Sequence, residues 1–347
     1  MQVFVDVAGQ DDNLGDSVLR RGLLDALRAS GTTLHVHSGD NSESYVSGLE
    51  LPDEDVQYSS RRAWRNALLQ SVGREKTSLA IDPGEIRSDA EMNFAGPRVI
   101  AAAAAVRLRG GAVIHSGIGL RAASHPRDRG TRVLARLSSV TTWRDEPSRA
   151  RGVHGYVAPD WAFATGPSSP RFGDRSCIAV SMRGDRSVPN ERWVELVNDL
   201  AESTQLTPVI FAQVRRDNEL ASWIAARVPR ATVEIWPDEV NHHDREIWVR
   251  SLFARSLTVV SDRVHALIIG ATEGAVPIGL TRNPEKLTRT LAGGGITGHT
   301  FDTSAATTHS DAILEASRRG DEIRASVQSS RAKLDELQQQ IRQLLAR

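Results

Sequence analysis

The residues best suited to chemistry sit in short polar stretches at the ends of apolar runs. Ser261-Asp262-Arg263-Val264-His265 follows the β-type run from Leu257 and precedes the helical stretch ALIIGATEG. A cationic side chain, an imidazole and the free amides of a helix start then meet at one point, the outline of an anion site. Arg263 and His265 are two apart and would diverge on a regular helix, so the cluster is placed in the turn before it. Arg183 closes another apolar run, Cys177 to Met182, where a guanidinium fork can take a carboxylate or phosphate. Lys286 follows the strand pattern PIGLT and adds a charge on the same half.

On the other half, Asn13-Leu14-Gly15-Asp16 separates the first apolar run from a helical one. It reads either as a turn opening helix-start amides to an anion, with Asn13 in it, or as a plain cap with Asp16 at the N-cap. It lacks the lysine of a phosphate P-loop and the spacing of a dinucleotide fingerprint. Trp143-Arg144-Asp145-Glu146-Pro147-Ser148 follows a strand pattern, and Ala158-Pro159-Asp160-Trp161 comes soon after. Both read as polar groups at strand ends or as capping turns. Asn241-His242-His243-Asp244 is read as a solvated loop, because it lacks the partner spacing of a metal site.

The elements that must hold these stretches alternate. Strand patterns at 2–8, 34–37, 78–82, 112–120 and 140–143 interleave with helical ones. After a Gly-, Ser- and Pro-rich stretch, Thr165 to Asp174, a second alternating series runs from Cys177 to Thr281. This predicts an α/β chain of two Rossmann-like domains facing a cleft, 1–165 and 166–305. A tail, 306–347, follows, read from Asp311 as one long helix. Its apolar positions Ile323, Val327, Leu334, Leu337, Ile341 and Leu344, with Ser330 in one slot, suit a helix packed back on the N-terminal domain or a contact between subunits in a homo-oligomer. Ligands of such sheets bind at the carboxyl ends of the strands.

Composition excludes several classes. The chain has 43 basic and 43 acidic residues and a formal net charge of +0, so it lacks the surplus of positive charge expected of a general nucleic-acid binder. Its tryptophans are scattered and build no stacking ladder for bases. Cys177 alone cannot make an intrachain disulfide. Only Lys76, Lys286 and Lys333 are lysines, so arginine carries nearly all the positive charge. The first residues lack a basic leader, and Asp6 interrupts their apolar run. A cytoplasmic protein is expected, with peripheral membrane contact left open.

Taken in order, NLGD after the first strand, WRDEPS, APDWAFA, Ser181-Met182-Arg183, SDRVHALIIGATEGAVP and a following lysine resemble the polysaccharide pyruvyl transferase family across residues 3 to 295. The resemblance implies a fold similar to the glycosyltransferase B architecture. It implies an enzyme that moves the pyruvyl group of phosphoenolpyruvate onto sugar hydroxyls of a cell-surface polysaccharide or its precursor, forming a ketal and releasing phosphate. The family's Arg-Leu-His donor motif matches Arg263-Val264-His265, and its arginine after the linker strand matches Arg183. Where the family carries three glycines after its third strand, this chain has Asp82-Pro83-Gly84-Glu85. On that reading phosphoenolpyruvate is the co-substrate, with no tightly bound cofactor and no metal. Arg183, Arg263, Val264, His265 and Lys286 bind the donor, with Asn13, Arg144 and Asp145 also lining the substrate site. His265 serves as acid, and Asp16, Asp145 or Asp160 activates the hydroxyl. The competing readings are a nucleotide-sugar glycosyltransferase of similar fold and a non-catalytic envelope-assembly protein.

Overall fold

The computed structural model describes residues 1–28, 31–86, 96–120, 128–167, 175–186, 188–305 and 310–347. The chain divides into two compact units. Unit 1 takes residues 1–11, 16–164 and 331–347, and unit 2 takes 12–15 and 165–330. Of the linker-like stretch, residues 168–174 lie outside the described residues.

Unit 1 runs β1 (Gln2–Asp6), α1 (Leu14–Leu27), β2 (Thr33–His37), α2 (Glu43–Ser47), β3 (Val56–Tyr58), α3 (Arg61–Arg74), β4 (Thr77–Ile81), β5 (Gly84–Ile86), α4 (Pro97–Leu108), β6 (Val113–Leu120), α5 (Asp128–Leu137), β7 (Val140–Trp143), α6 (Glu146–Gly152) and β8 (Tyr156–Val157). Its sheet is parallel in the order β3-β2-β1-β4-β6-β7-β8, with β5 paired to β6. Strands β4, β6 and β7 are buried along their whole length, which is why their sequences are continuous apolar and small runs rather than alternating ones. Phe4, Leu79, Ile81 and Val113 pack with Trp64, Leu68 and Val72 of α3 and with Ala103 and Val106 of α4.

Unit 2 runs β9 (Cys177–Ser181), α7 (Glu191–Thr204), β10 (Thr207–Phe211), α8 (Asn218–Ala225), β11 (Thr232–Glu234), α9 (His242–Ala254), β12 (Ser256–Ser261), α10 (Val264–Thr272), β13 (Val276–Thr281), α11 (Glu285–Gly293), β14 (Thr300–Asp302) and α12 (Ser310–Ser317), and α13 (Gly320–Ala346) begins in it. Its parallel sheet has the order β11-β10-β9-β12-β13-β14. This is the doubly wound order, and the chain reverses direction across the sheet between β9 and β12, where such sheets open a crevice for ligands.

Three details differ from the sequence reading. The tail is two helices, broken after Ser317, with Arg318 and Arg319 closing the last turn onto Glu315 and Ala316. Along α13 the buried positions are Ile323, Val327, Ser330, Leu334, Leu337, Ile341 and Leu345, so Leu345 replaces the expected Leu344. These positions are already buried within the single chain, and only the last step, from Ile341 to Leu345, departs from alternating steps of 4 and 3. Residues 320–330 of this helix group with unit 2 and residues from Arg331 onward with unit 1. Finally, His242 and His243 are not in a loop: Asn241 accepts the Asp244 amide at 2.9 Å and caps α9, and His242 is buried edge-on to Trp236 with ring centroids 4.8 Å apart.

Candidate functional site

In unit 2, Arg183 and Arg263, expected from the sequence to bind an anion, both lie at the switch point. β9 ends at Ser181 and β12 at Ser261, in register with each other. Buried Asp262, just after β12, accepts the backbone amide of Arg183 at 2.9 Å and so ties the two strand-end loops together. Burial pushes its pKa upward, against the pull of that amide and of Arg263, Arg186 and Arg183. A second buried carboxylate, Asp217, lies at the end of the short turn after β10. It accepts the Gly184 amide at 2.8 Å and a two-pronged contact from Arg263, Nε at 2.5 Å and Nη2 at 2.7 Å. Two aspartates therefore fix the loops after β9, β10 and β12.

The arginine forks are used inside the protein. Arg263 gives Nε and Nη2 to Asp217, and Arg183 gives the same two atoms to Asp185 at 2.8 and 2.7 Å. The Arg183 hydrogen bonds hold the Asp185 carboxyl well below the usual carboxylate range. A guanidinium has five N–H donors, so each fork leaves the Nη1 edge for a ligand. The carboxylates thus orient both arginines through Nε and Nη2. Arg263 precedes the helix in an extended conformation (φ −98°, ψ 113°), and Val264 and His265 are its first two residues. The predicted turn therefore contains Asp262 and Arg263, while His265 belongs to α10. Lys286 stands in the first turn of α11, after β13, one strand along from the switch point.

Residues 12–15 pack on the same unit. Asn13 bridges Val214, the Asp12 carbonyl accepts the Arg215 amide at 3.0 Å, and Arg216 forks the Asp12 carboxylate. Gly15 then lies directly against His265: a Cβ there would stand 2.4 Å from Nδ1 and 2.5 Å from the histidine Cβ. Only a glycine fits at that contact, which gives the motif a reason beyond turn formation. Sequence spacing points to Asp16 as the cap of α1, but the helix begins at Leu14 and Asn13 Oδ1 accepts the Gly15 amide at 3.1 Å. The cap is Asn13, and Asp16 falls in the first turn, where a carboxylate suits the helix dipole.

Unit 1 draws other predicted residues into a buried cluster. Arg144, 2 % exposed, donates to Glu85 at 3.2 Å and stands 4.0 Å from a carboxylate oxygen of both Asp145 and Asp160. Gly119 makes room for it, since a Cβ there would lie 2.3 Å from Arg144 Nε. Asp145 caps α6 through the Ser148 amide at 2.8 Å, and Asp160 opens the turn Trp161–Ala164 by accepting the Ala162 amide at 3.0 Å. Their capping roles are plain.

At the β1/β4 switch point of the same unit, buried Arg20 places Nε 2.9 Å from Asp82 Oδ1, Nη2 2.9 Å from Oδ2, and Nη1 3.3 Å from Asp16. The nearby carboxylates hold the Arg20 guanidinium firmly protonated against its burial. Asp16 also accepts the Gln10 amide at 2.9 Å. Sequence reading misses Arg20 and names Asp82 only within the stretch after the third strand, without its partner; the available signal is a charged residue, Arg20, directly after the apolar pair Val18 and Leu19. Among the described residues, no group of three or more His, Cys, Asp or Glu is placed to hold a metal ion, and no helix is long and apolar enough to cross a membrane.

Comparison with known proteins places both fold and family. The structure is similar to the UDP-GlcNAc 2-epimerase of Neisseria meningitidis solved with UDP-GlcNAc, at 11% identity over 100% of both chains with a TM-score of 0.55. It is equally similar to the UDP-GlcNAc 2-epimerase of Methanocaldococcus jannaschii, at 12% identity over 97% of this chain and 99% of that one, TM-score 0.55. The glycotransferase of kitacinnamycin follows at 12% identity over 99% and 98%, TM-score 0.50. At such identities the likeness shows the fold, that of GT-B glycosyltransferases and epimerases. No curated protein sequence matches the chain. The model of the family described as polysaccharide pyruvyl transferase matches residues 13–284, from the Asn13 that bridges Val214 to the segment just before Lys286, and the chain belongs to that family.

Proposed function

We propose that this transferase moves the pyruvyl group of phosphoenolpyruvate onto two hydroxyls of a sugar in a cell-surface polysaccharide or its precursor. The observation that carries the reading is the convergence in unit 2 of Arg183, Arg263 and His265 on the β9/β12 switch point, with each guanidinium held by its own aspartate. Phosphoenolpyruvate carries a carboxylate and a phosphate on one small frame, and two oriented arginine edges suit its two ends.

In the proposed sequence His265 delivers a proton to the methylene carbon C3, which leaves an oxocarbenium-like centre at C2. A sugar hydroxyl adds to C2 and loses its proton to a carboxylate. The C2–O bond to phosphate then breaks, with the electron pair leaving on phosphate. A second hydroxyl bonds to C2, loses its proton, and closes the ketal. No electrons are transferred, so the sequence calls for no redox cofactor. Of the three aspartates considered as base, Asp145 and Asp160 are fully buried in capping roles, while the Asp16 side chain is 19% exposed and directly follows Gly15. We assign the base to Asp16.

A ligand panel tests the reading against its rivals. Phosphoenolpyruvate raises the melting temperature, and uridine or guanosine diphosphate sugars do not. Stabilisation by a nucleotide sugar alone replaces this reading with glycosyl transfer. A melting temperature unmoved by every anion supports a non-catalytic assembly role.

A further inference from the structure

At the β1/β4 switch point of unit 1 a single guanidinium ties the strand-end loops. Arg20 lies one turn after Asp16 on α1, so the two side chains share a helix face. Every nitrogen of Arg20 meets an acceptor. Nη1 donates to the Asp16 carbonyl at 3.0 Å and stands 3.3 Å from Asp16 Oδ2. Nη2 donates to the Ala8 carbonyl at 3.2 Å and to Asp82 Oδ2 at 2.9 Å, and Nε stands 2.9 Å from Asp82 Oδ1. A guanidinium has five N–H bonds, so these contacts use it fully and leave no edge for a ligand. The backbone closes over it as well: a Cβ on Gly9 would lie 3.0 Å from Arg20 Cζ and 2.4 Å from Tyr45 Oη.

The grip is uneven. Asp82 takes two prongs and its side chain is 5% exposed, whereas Asp16 takes one corner and is 19% exposed. Asp82 is therefore the anchor, and Asp16 the carboxylate that reaches solvent. Three carboxylates crowd this point: Asp6 from β1, Asp16 from α1 and Asp82 after β4, with the Tyr45 phenol of α2 beside them. Asp6 has cations of its own, Arg61 at 2.8 Å and His37 at 2.9 Å. Burial pushes the Asp82 carboxyl up against the pull of Arg20, and it pushes the Tyr45 phenol up too, so that group stays neutral. Arg20 gives Asp16 a positive charge 3.3 Å away. Without it Asp16 faces the like charges of Asp6 and Asp82, which favour its protonated form.

We infer that Arg20, anchored on Asp82, is the positioning residue for Asp16: it fixes the direction of that carboxylate and supplies the charge that keeps it ionised as a base. The inference rests on the assignment of hydroxyl activation to Asp16. A hydroxyl gives up its proton only to an ionised carboxylate within hydrogen-bond reach, so direction and charge both bear on the rate. Donor affinity is a separate matter, because Arg183 and Arg263 belong to unit 2.

The test follows phosphate release from phosphoenolpyruvate against pH in the full chain, with methyl galactoside, methyl glucoside and methyl mannoside as acceptors. Calorimetry with phosphoenolpyruvate runs beside it. Arg20→Gln alone leaves the buried Asp82 uncompensated and can unfold the chain. The double variant Arg20→Gln/Asp82→Asn replaces the ion pair by a neutral, hydrogen-bonding one. Its acid limb of kcat is expected to move up by about one pH unit, because Asp16 then holds its proton to higher pH. Its plateau kcat is expected to fall roughly ten-fold or more, with phosphoenolpyruvate affinity at the parental value. Arg20→Lys keeps the charge and loses the fork, so its limb stays at the parental pH while its plateau falls. A merely structural pair lowers the melting temperature and leaves the limb in place. An unmoved limb in the folded double variant, or an equal shift in Arg20→Lys, overturns the inference, and phosphoenolpyruvate binding by the parent then leaves the donor reading standing. A parent that releases no phosphate with any of the three glycosides overturns the pyruvyl-transfer reading, and the inference falls with it.

Discussion

Gly15→Ala is the substitution whose consequence can be worked furthest. The added methyl carbon would stand 2.4 Å from His265 Nδ1, 2.5 Å from its Cβ and 2.7 Å from its Cγ. Relaxed carbon contacts sit at about 3.5–4.0 Å, so one partner must retreat by roughly 1 Å. Neither side yields easily. His265 opens a helix in which every residue is buried, and the NLGD segment is pinned by the Asn13–Val214 bridge and the Asp12–Arg216 pair. Overpacking of this kind costs about 1–3 kcal/mol, a loss of a few degrees in melting temperature. A displacement of about 1 Å at a catalytic group can cost about 10²-fold in rate. The assay is kcat/KM for acceptor-dependent phosphate release from phosphoenolpyruvate, beside thermal denaturation. Gly73→Ala is the control, because nothing lies within 4 Å of the new Cβ. A Gly15→Ala protein with parental kinetics and melting temperature would refute the claim that this glycine sets the position of His265.

Other substitutions separate binding from folding. Arg263→Ala strips the partner from a carboxylate that is 1% exposed and is expected to cost about 3–5 kcal/mol in denaturant titrations as well as donor binding. Arg183→Ala breaks a pair whose side chains are 25% and 34% exposed; it is expected to cost less than about 1 kcal/mol while weakening donor binding as sharply. Acid sensitivity has an identifiable source in His115, fully buried on β6, whose pKa burial pushes down to about 4. Between about pH 6.5 and 4 the unfolded chain takes up this proton and the folded chain does not. Stability is therefore full above that window and declines as pH falls through it, by roughly 3 kcal/mol. His299, also pushed down to about 4 by burial, adds to the same slope. His115→Leu is expected to flatten the acid limb of a stability–pH curve, and an unchanged slope counts against this origin.

Much of the architecture is legible because parallel strands are covered and spell themselves as unbroken apolar runs. CIAVS, SLTVVS and VPIGLT are examples, each ending at a polar turn. The strand-end location of Arg183 and Arg263 follows from that pattern alone. Helix α3 is less legible: RRAWRNALLQSVGR buries only Trp64, Leu68, Ser71 and Val72, and its arginines and glycine mask the period. The choice between Asn13 and Asp16 as cap turns on where the helix begins, which spacing does not settle. The carboxylates that hold the arginines escape notice for a different reason. Asp217 meets Arg263 across 46 residues of chain and Asp82 meets Arg20 across 62, and no local pattern encodes such pairs. The cap at Asn241 likewise turns a histidine pair that reads as solvated loop into the first turn of a helix.

The central claim is that the β9/β12 switch point of unit 2 receives phosphoenolpyruvate. Titration calorimetry of the purified chain with phosphoenolpyruvate, run in parallel on Arg183→Ala, tests it most directly. The account predicts one saturable site in the parent and a loss of at least ten-fold in affinity in a variant that melts at the parental temperature. The same affinity in both proteins, or no binding to the parent, contradicts it.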